Sequence, residues 1–111
     1  MLIPIKNDDG LILINAKDIY YVTKDGPYVL YKLKKKTIKS RDNLYSVTFL
    51  LNNKDFLRCH KSFIINLGKI YSINKYNATT FNVKFVDIND EVFMTLSAYK
   101  SMLKFLNTGI N

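Results

Sequence analysis

Turn-forming residues recur so often along this chain that only short elements fit between them. Asn7-Asp8-Asp9-Gly10, Lys24-Asp25-Gly26-Pro27, the basic corner Lys34-Lys35, Asn52-Asn53 and Asn89-Asp90 all interrupt the apolar pattern. All but the basic corner are rich in residues that accept a positive φ or bond their own backbone. The runs between them read as strands. Residues 2–6 and 11–15 flank a turn with Asp-Gly at its centre, and residues 19–23 and 28–33 flank Lys24-Asp25-Gly26-Pro27. Further strands are expected over 36–39, 56–59, 70–75, 80–86 and 91–95. In the fourth of these Phe81, Val83 and Phe85 alternate with Asn82 and Lys84.

Two segments carry helical spacing instead. Asn43 is placed as an N-cap ahead of Leu44, Val47 and Leu51, with the helix ending at Asn52-Asn53. Ser97 is placed as a second N-cap, with Tyr99, Met102, Leu103 and Leu106 inward and Gly109 past the end. Many short strands with two short helices exclude a βαβ sheet and predict a mostly-β chain built as a stack of small antiparallel sheets. A closed barrel satisfies the same pattern.

The 111 residues suit one domain spanning 1–111, and 48% apolar residues with 14% aromatics supply a core. No apolar run approaches the roughly 18–20 residues of a membrane span. The start, Met1-Leu2-Ile3-Pro4-Ile5, lacks the basic lead of a signal peptide. Cys59 is the only cysteine, so neither an internal disulfide nor zinc-finger spacing exists. A cytoplasmic location, no cofactor and no metal are expected.

Charge points to a partner. Seventeen basic side chains against nine acidic ones give +8, and the pI is about 9.6. Lys32, Lys34, Lys35, Lys36, Lys39 and Arg41 follow one another without an intervening acid. Lys54, Arg58, Lys61, Lys69 and Lys75 are opposed by Asp55 alone. The acids gather at the turns. Segregation of this kind makes a charged face suited to a polyanion.

The stretch Phe56-Leu57-Arg58-Cys59-His60-Lys61-Ser62-Phe63-Ile64-Ile65-Asn66-Leu67-Gly68-Lys69-Ile70 resembles the signature of the LytTR family of bacterial DNA-binding domains. An aromatic, then Arg, His and Ser at alternate places, an apolar pair, an Asn and a later Ile all fall in position. Asp18-Ile19-Tyr20-Tyr21-Val22, Asn43-Leu44 and Leu96-Ser97 extend the likeness over most of the chain. The resemblance implies an elongated fold of three stacked β-sheets and a role in transcription, often behind a receiver domain in response regulators. It also implies recognition of double-stranded DNA, with direct-repeat promoter sites taken by a pair of protomers. Loops at one edge would enter successive grooves: residues 24–28, 58–62 and 97–100. The first carries Gly26-Pro27-Tyr28 where family members often place His or Arg, and the third carries Ser97-Ala98-Tyr99 where many place Arg.

The candidate DNA-binding residues are therefore Lys24, Tyr28, Arg58, His60, Lys61, Ser62, Lys75, Ser97 and Lys100. Lys61, between His60 and Ser62, is the expected base reader, its alternative being a solvated lysine. Arg58 suits a phosphate clamp or an ion pair with Asp55. His60 has no nucleophile or metal cluster around it and reads as a hydrogen-bonded residue shaping the loop. Ser62 suits phosphate or a local cap, and Asn66 a turn that satisfies its own backbone. Cys59 reads as a small core residue. Lys100 with a helix opened by Ser97 would form an anion site. Alternating lysines around 32–41 equally defend a sheet edge, with electrostatic steering as their wider effect.

Two other functions fit the same bulk features. A single-strand or RNA binder would stack bases on Tyr20, Tyr21, Tyr28, Tyr31, Tyr71 and Tyr76. A protein-interaction module would leave the basic face idle. An enzyme lacks its constellation here: there are no paired carboxylates, no nucleophile with a base, and no metal ligands.

Overall fold

The structure is a computed structural model that describes residues 1–52 and 55–107. The predicted helix stop at Gly109, the second residue of Asn52-Asn53 and the charge of Lys54 lie outside the described residues. The elements run β1 (Leu2–Asn7), β2 (Gly10–Asn15), β3 (Tyr21–Asp25), β4 (Tyr28–Lys32), β5 (Thr37–Arg41) and α1 (Leu44–Leu50). They continue as β6 (Phe56–His60), β7 (Phe63–Asn66), β8 (Ile70–Lys75), β9 (Thr80–Phe85), β10 (Glu91–Thr95) and α2 (Leu96–Asn107).

All pairings are antiparallel, and they make three open sheets rather than a barrel: β1-β2, β5-β4-β3-β7-β6 and β10-β9-β8. The molecule is elongated, about 45 × 28 × 26 Å. The five-stranded sheet is the middle layer. On one face Val22, Val29, Tyr31, Ile38 and Ile64 pack with Ile3, Ile5 and Ile14 of the hairpin and with Leu44, Val47 and Leu51 of the first helix segment. On the other face Ile65 and Cys59 pack with Phe81, Val83, Phe85, Val92, Met94 and Met102. Each buried aliphatic side chain contributes roughly 1.5–3 kcal/mol.

This double burial explains the strand missed by the sequence pattern. Ile64 and Ile65 are adjacent in β7 and point to opposite cores, so the strand shows no polar alternation.

Several boundaries shift for local reasons. In the first hairpin the cross-strand pair is Asn7 with Gly10, so Asp8-Asp9 occupy the turn instead of Asp-Gly. Asn7 Oδ1 accepts from the Asp9 N–H (2.9 Å). In the second hairpin the pairing of Asp25 with Tyr28 leaves only Gly26-Pro27 as the turn. Gly26 takes φ +59° and Pro27 follows with its fixed negative φ, the sign pattern of a II′ turn. Asn43 caps α1 as expected, its Oδ1 accepting from the Ser46 N–H at 2.9 Å.

The last helix differs more. It follows β10 without a loop, and Thr95 Oγ1 accepts from the Ala98 N–H at 3.0 Å. Ser97 is therefore inside the helix and exposed, not its N-cap. Met102 is buried and Tyr99 half-buried, but Leu103 and Leu106 are exposed, contrary to the inward placement expected of them.

Candidate nucleic-acid interface

Two of the three expected loops are brought together by sheet pairing. β7 lies beside β3, with Thr23 opposite Phe63. The Lys24 N–H then reaches the Ser62 carbonyl at 3.4 Å, so the β3–β4 turn and the β6–β7 turn stand side by side at one end of the middle sheet.

The β6–β7 turn is tied from both sides. The register slips between Arg58 and His60, so that His60 faces Phe63 and Lys61-Ser62 make the corner. Arg58 donates from its guanidinium to the Lys61 carbonyl (2.7 Å). The Ser62 N–H donates to His60 Nδ1 (3.0 Å), and the imidazole rests 5.5 Å from the Phe63 ring. Bound this way, the backbone of Lys61 is fixed while its side chain is exposed. The arginine uses one donor of its five here and is an exposed residue.

Nδ1 can accept that bond only when it carries no proton, so the neutral His60 ring holds its proton on Nε2. Its pKa is lowered, first by burial and then by the charges of Lys61 and Lys24. The same two cations that face solvent therefore press on the imidazole. The expectation that His60 shapes the loop corresponds to this geometry.

Tyr28 sits elsewhere. It is half-buried, opposite Asp25 and Arg41, and its ring carries Lys39 Nζ at 4.2 Å and the Arg41 guanidinium at 4.9 Å. It thus flanks the turn on the side away from β7. The third region belongs to the outer sheet. Cys59 Sγ lies 3.3 Å from the Phe93 carbonyl, joining β6 to the strand that leads into α2. Tyr99 stacks on Phe81 at 4.0 Å, and Lys75 pairs across from that Phe81. Lys75 and Lys100 are exposed, and α2 packs against β6, the strand that carries Arg58 and His60.

The anion site expected from Ser97 and Lys100 changes character. The helix begins at Leu96, which puts Lys100 in the second turn rather than the first. Two of the opening N–H groups are already used, Leu96 by the Thr79 carbonyl (3.0 Å) and Ala98 by Thr95. Lys100 is thus an exposed cation one turn beyond a helix end whose N–H groups are partly used. The cap that sequence reasoning missed is Thr95, a favoured N-cap residue type, and position 98 carries Ala instead of the Glu or Gln that would have marked a capping box.

Asn66 and Cys59 are structural. Asn66 is buried, donates to the Ile19 carbonyl (2.9 Å) and accepts from the Gly68 N–H (2.9 Å). Burial pushes the Cys59 thiol up to about 12, which keeps it protonated and unreactive. Tyr20 and Tyr31 are core residues and Tyr21 donates to Asp90 at 2.6 Å, so three of the six proposed base-stacking platforms are committed to packing or hydrogen bonding. Tyr71 and Tyr76 are exposed, and Tyr76 lies beside Phe93. Among the described residues no cluster of His, Cys, Asp or Glu is placed to hold a metal, and no helix is long and apolar enough to cross a membrane.

Residues 9–107 match the LytTr DNA-binding domain family. The chain belongs to the LytTR family. The fold of this LytTR chain is similar to a solved LytTr DNA-binding domain from Bacillus cereus, with TM-score 0.80, 24% identity and 95% coverage of both chains. Among curated relatives it is 30% identical over 76 residues to the sensory transduction protein LytT of Bacillus cereus, covering 68% of this chain and 31% of that protein. It is 28% identical over 91 residues to the transcriptional regulatory protein NatR of Bacillus subtilis, covering 82% and 39%. Over 100 residues it is 25% identical to the transcriptional regulatory protein YpdB of Escherichia coli, covering 90% and 41%. The LytTR chain thus spans between about a third and two fifths of these relatives' lengths. By family it is a DNA-binding domain.

Proposed function

We propose that this LytTR module acts as one domain over 1–111 in the cytoplasm, where it binds double-stranded DNA and regulates transcription without enzymatic chemistry of its own. The β3–β4 turn, the β6–β7 turn and the opening of α2 would address successive grooves. The observation that carries the reading is the link from the Lys24 N–H to the Ser62 carbonyl, which sets Lys24, Arg58 and Lys61 at one end of the middle sheet. In the proposal Lys61 reads base edges. Lys24, Arg58, Lys75 and Lys100 meet phosphates, with Ser62 and Ser97 as further polar contacts, while His60 holds the turn and Tyr28 flanks it. The target in this reading is a direct repeat taken by two protomers, as the family resemblance implies.

Competition among duplex DNA, single strands and RNA at one salt concentration tests the reading. About five neutralised phosphates give log K against log[salt] a slope near −4 to −5. Duplexes with one and two half-sites separate single from paired binding. Stronger binding to single strands or RNA, or a slope near zero, overturns the proposal.

A further inference from the structure

At the free edge of the middle sheet two cations lie against one tyrosine, and a third lines the same cleft. β5 is the outermost strand, and its exposed residues Lys39 and Arg41 lie against the Tyr28 ring at 4.2 and 4.9 Å. Arg41 also donates to the Tyr28 hydroxyl at 3.1 Å, which orients the guanidinium. The first hairpin closes the other side. Buried Ser40 donates to the Lys6 carbonyl at 2.7 Å, holding β1 against β5 and bringing Lys6, Asn7 and Asp8 to the same place. Together these residues line an open cleft of about 360 Å³.

The cleft holds three cations and one acid. Among the described residues Lys6, Lys39 and Arg41 form no salt bridge. Protection of a sheet edge requires only that charges stand along it. It does not require two of them to share one ring, nor a third to be delivered by a separate hairpin. A cleft lined by two lysines and a pre-oriented guanidinium fork is suited to an anion with several oxygens.

Its position selects the anion. Tyr28 directly follows the Gly26-Pro27 turn, and the cleft lies on the side of that turn away from Lys61 and Ser62. A duplex that receives this turn in a groove has a phosphate strand on either flank. Lys24 and Arg58, beside the Lys61 corner, stand toward one flank. We infer that Lys6, Lys39 and Arg41, organised by Tyr28, clamp the phosphate strand on the other flank, so that the DNA footprint extends over the β5 edge to the first hairpin. This rests on the duplex-binding reading and adds a contact region to it.

Two charge-matched double variants test the inference: Lys39→Gln with Arg41→Gln, and Lys34→Gln with Lys35→Gln at the far end of the same β4–β5 hairpin. Both pairs are surface changes that remove two charges. The clamp predicts that the first pair weakens cognate and random duplex alike and makes the salt slope shallower by about two units, while the second pair leaves the slope nearly unchanged. Lysine acetylation of the wild-type chain gives a second readout, in which duplex protects Lys6 and Lys39 but not Lys34 or Lys35. Equal effects of the two pairs mean charge acting at a distance and overturn the clamp, although wild-type duplex binding then still stands. Equal protection of Lys39 by inorganic phosphate and by duplex assigns the cleft to a small anion and also overturns it. A wild-type chain that binds no duplex removes both this inference and the reading beneath it.

Discussion

The Ser62 N–H lies 3.0 Å from Nδ1 of His60, so the corner that presents Lys61 is closed by an imidazole that must stay neutral to accept the bond. The pKa of His60 is lowered by burial and by Lys61 and Lys24. As pH falls through about 6.5, the unfolded chain takes up a proton that the folded ring resists, and the unfolded state binds more protons. Stability therefore drops across that window and levels off once the folded ring is also protonated. His60→Asn supplies an Oδ1 acceptor without a titration, and this component should vanish in it. Thermal unfolding of both proteins from about pH 7.5 to 5 measures the difference. Parallel curves would show that the His60 bond does not couple to protonation.

A larger and pH-independent loss is expected at Asn66. Its amide joins the Ile19 carbonyl in front of β3 to the Gly68 N–H beyond β7. Asn66→Ala leaves a buried carbonyl and an N–H without partners, which costs about 2–4 kcal/mol. Asn66→Asp keeps the acceptor but loses the donor to Ile19. Urea unfolding midpoints at neutral pH report both. A cost below about 1 kcal/mol for the alanine variant would mean that water or a shifted backbone replaces both bonds.

These two residues also mark what local pattern can and cannot reveal. β8 and β10 match their expected bounds because their polar and apolar positions alternate or their turns are sharp, and Asn43 caps α1 because its chemistry acts within three residues. β7 was hidden because Ile64 and Ile65 serve two cores at once. The Lys61 corner was legible from the family signature. Its closeness to Lys24, however, depends on β3 pairing with β7, a contact between distant segments that no local spacing encodes. The Tyr28 cleft depends likewise on a hydrogen bond between Ser40 and the first hairpin. In the sequence its lysines look like ordinary edge protection.

Capping of the last helix separates two adjacent hydroxyls. Thr95 accepts from the Ala98 N–H, whereas Ser97 is exposed within the first turn. Thr95→Ala should cost about 0.5–2 kcal/mol, while Ser97→Ala should change stability little. Since Ser97 is proposed to face DNA, its variant should instead weaken duplex binding. Chemical denaturation and duplex titration of the same two proteins give both readouts. The reverse pattern, with Ser97 carrying stability, would place the helix start where the sequence first suggested it.

The residue that reads sequence can be identified by comparing two lysines. Lys61 is held at a fixed corner by Arg58, whose guanidinium grips the Lys61 carbonyl at 2.7 Å, and a fixed backbone is what a base contact needs. Lys100 is an exposed side chain in the second turn of α2, with no contact restraining it among the described residues. A base contact supplies about 1–3 kcal/mol of discrimination, whereas a phosphate contact weakens every sequence equally. Lys61→Ala should therefore narrow the gap between a cognate duplex and a scrambled one. Lys100→Ala should lower both affinities together and make the salt slope shallower by about one unit. Arg58→Lys keeps the charge but loses the fork, so it should reduce discrimination with little change in slope. Paired titrations at several salt concentrations, on variants first shown to unfold like the wild type, distinguish these outcomes. If Lys61→Ala lowers both affinities equally, Lys61 is a phosphate contact. Discrimination would then rest on DNA shape and on backbone groups of the two joined turns.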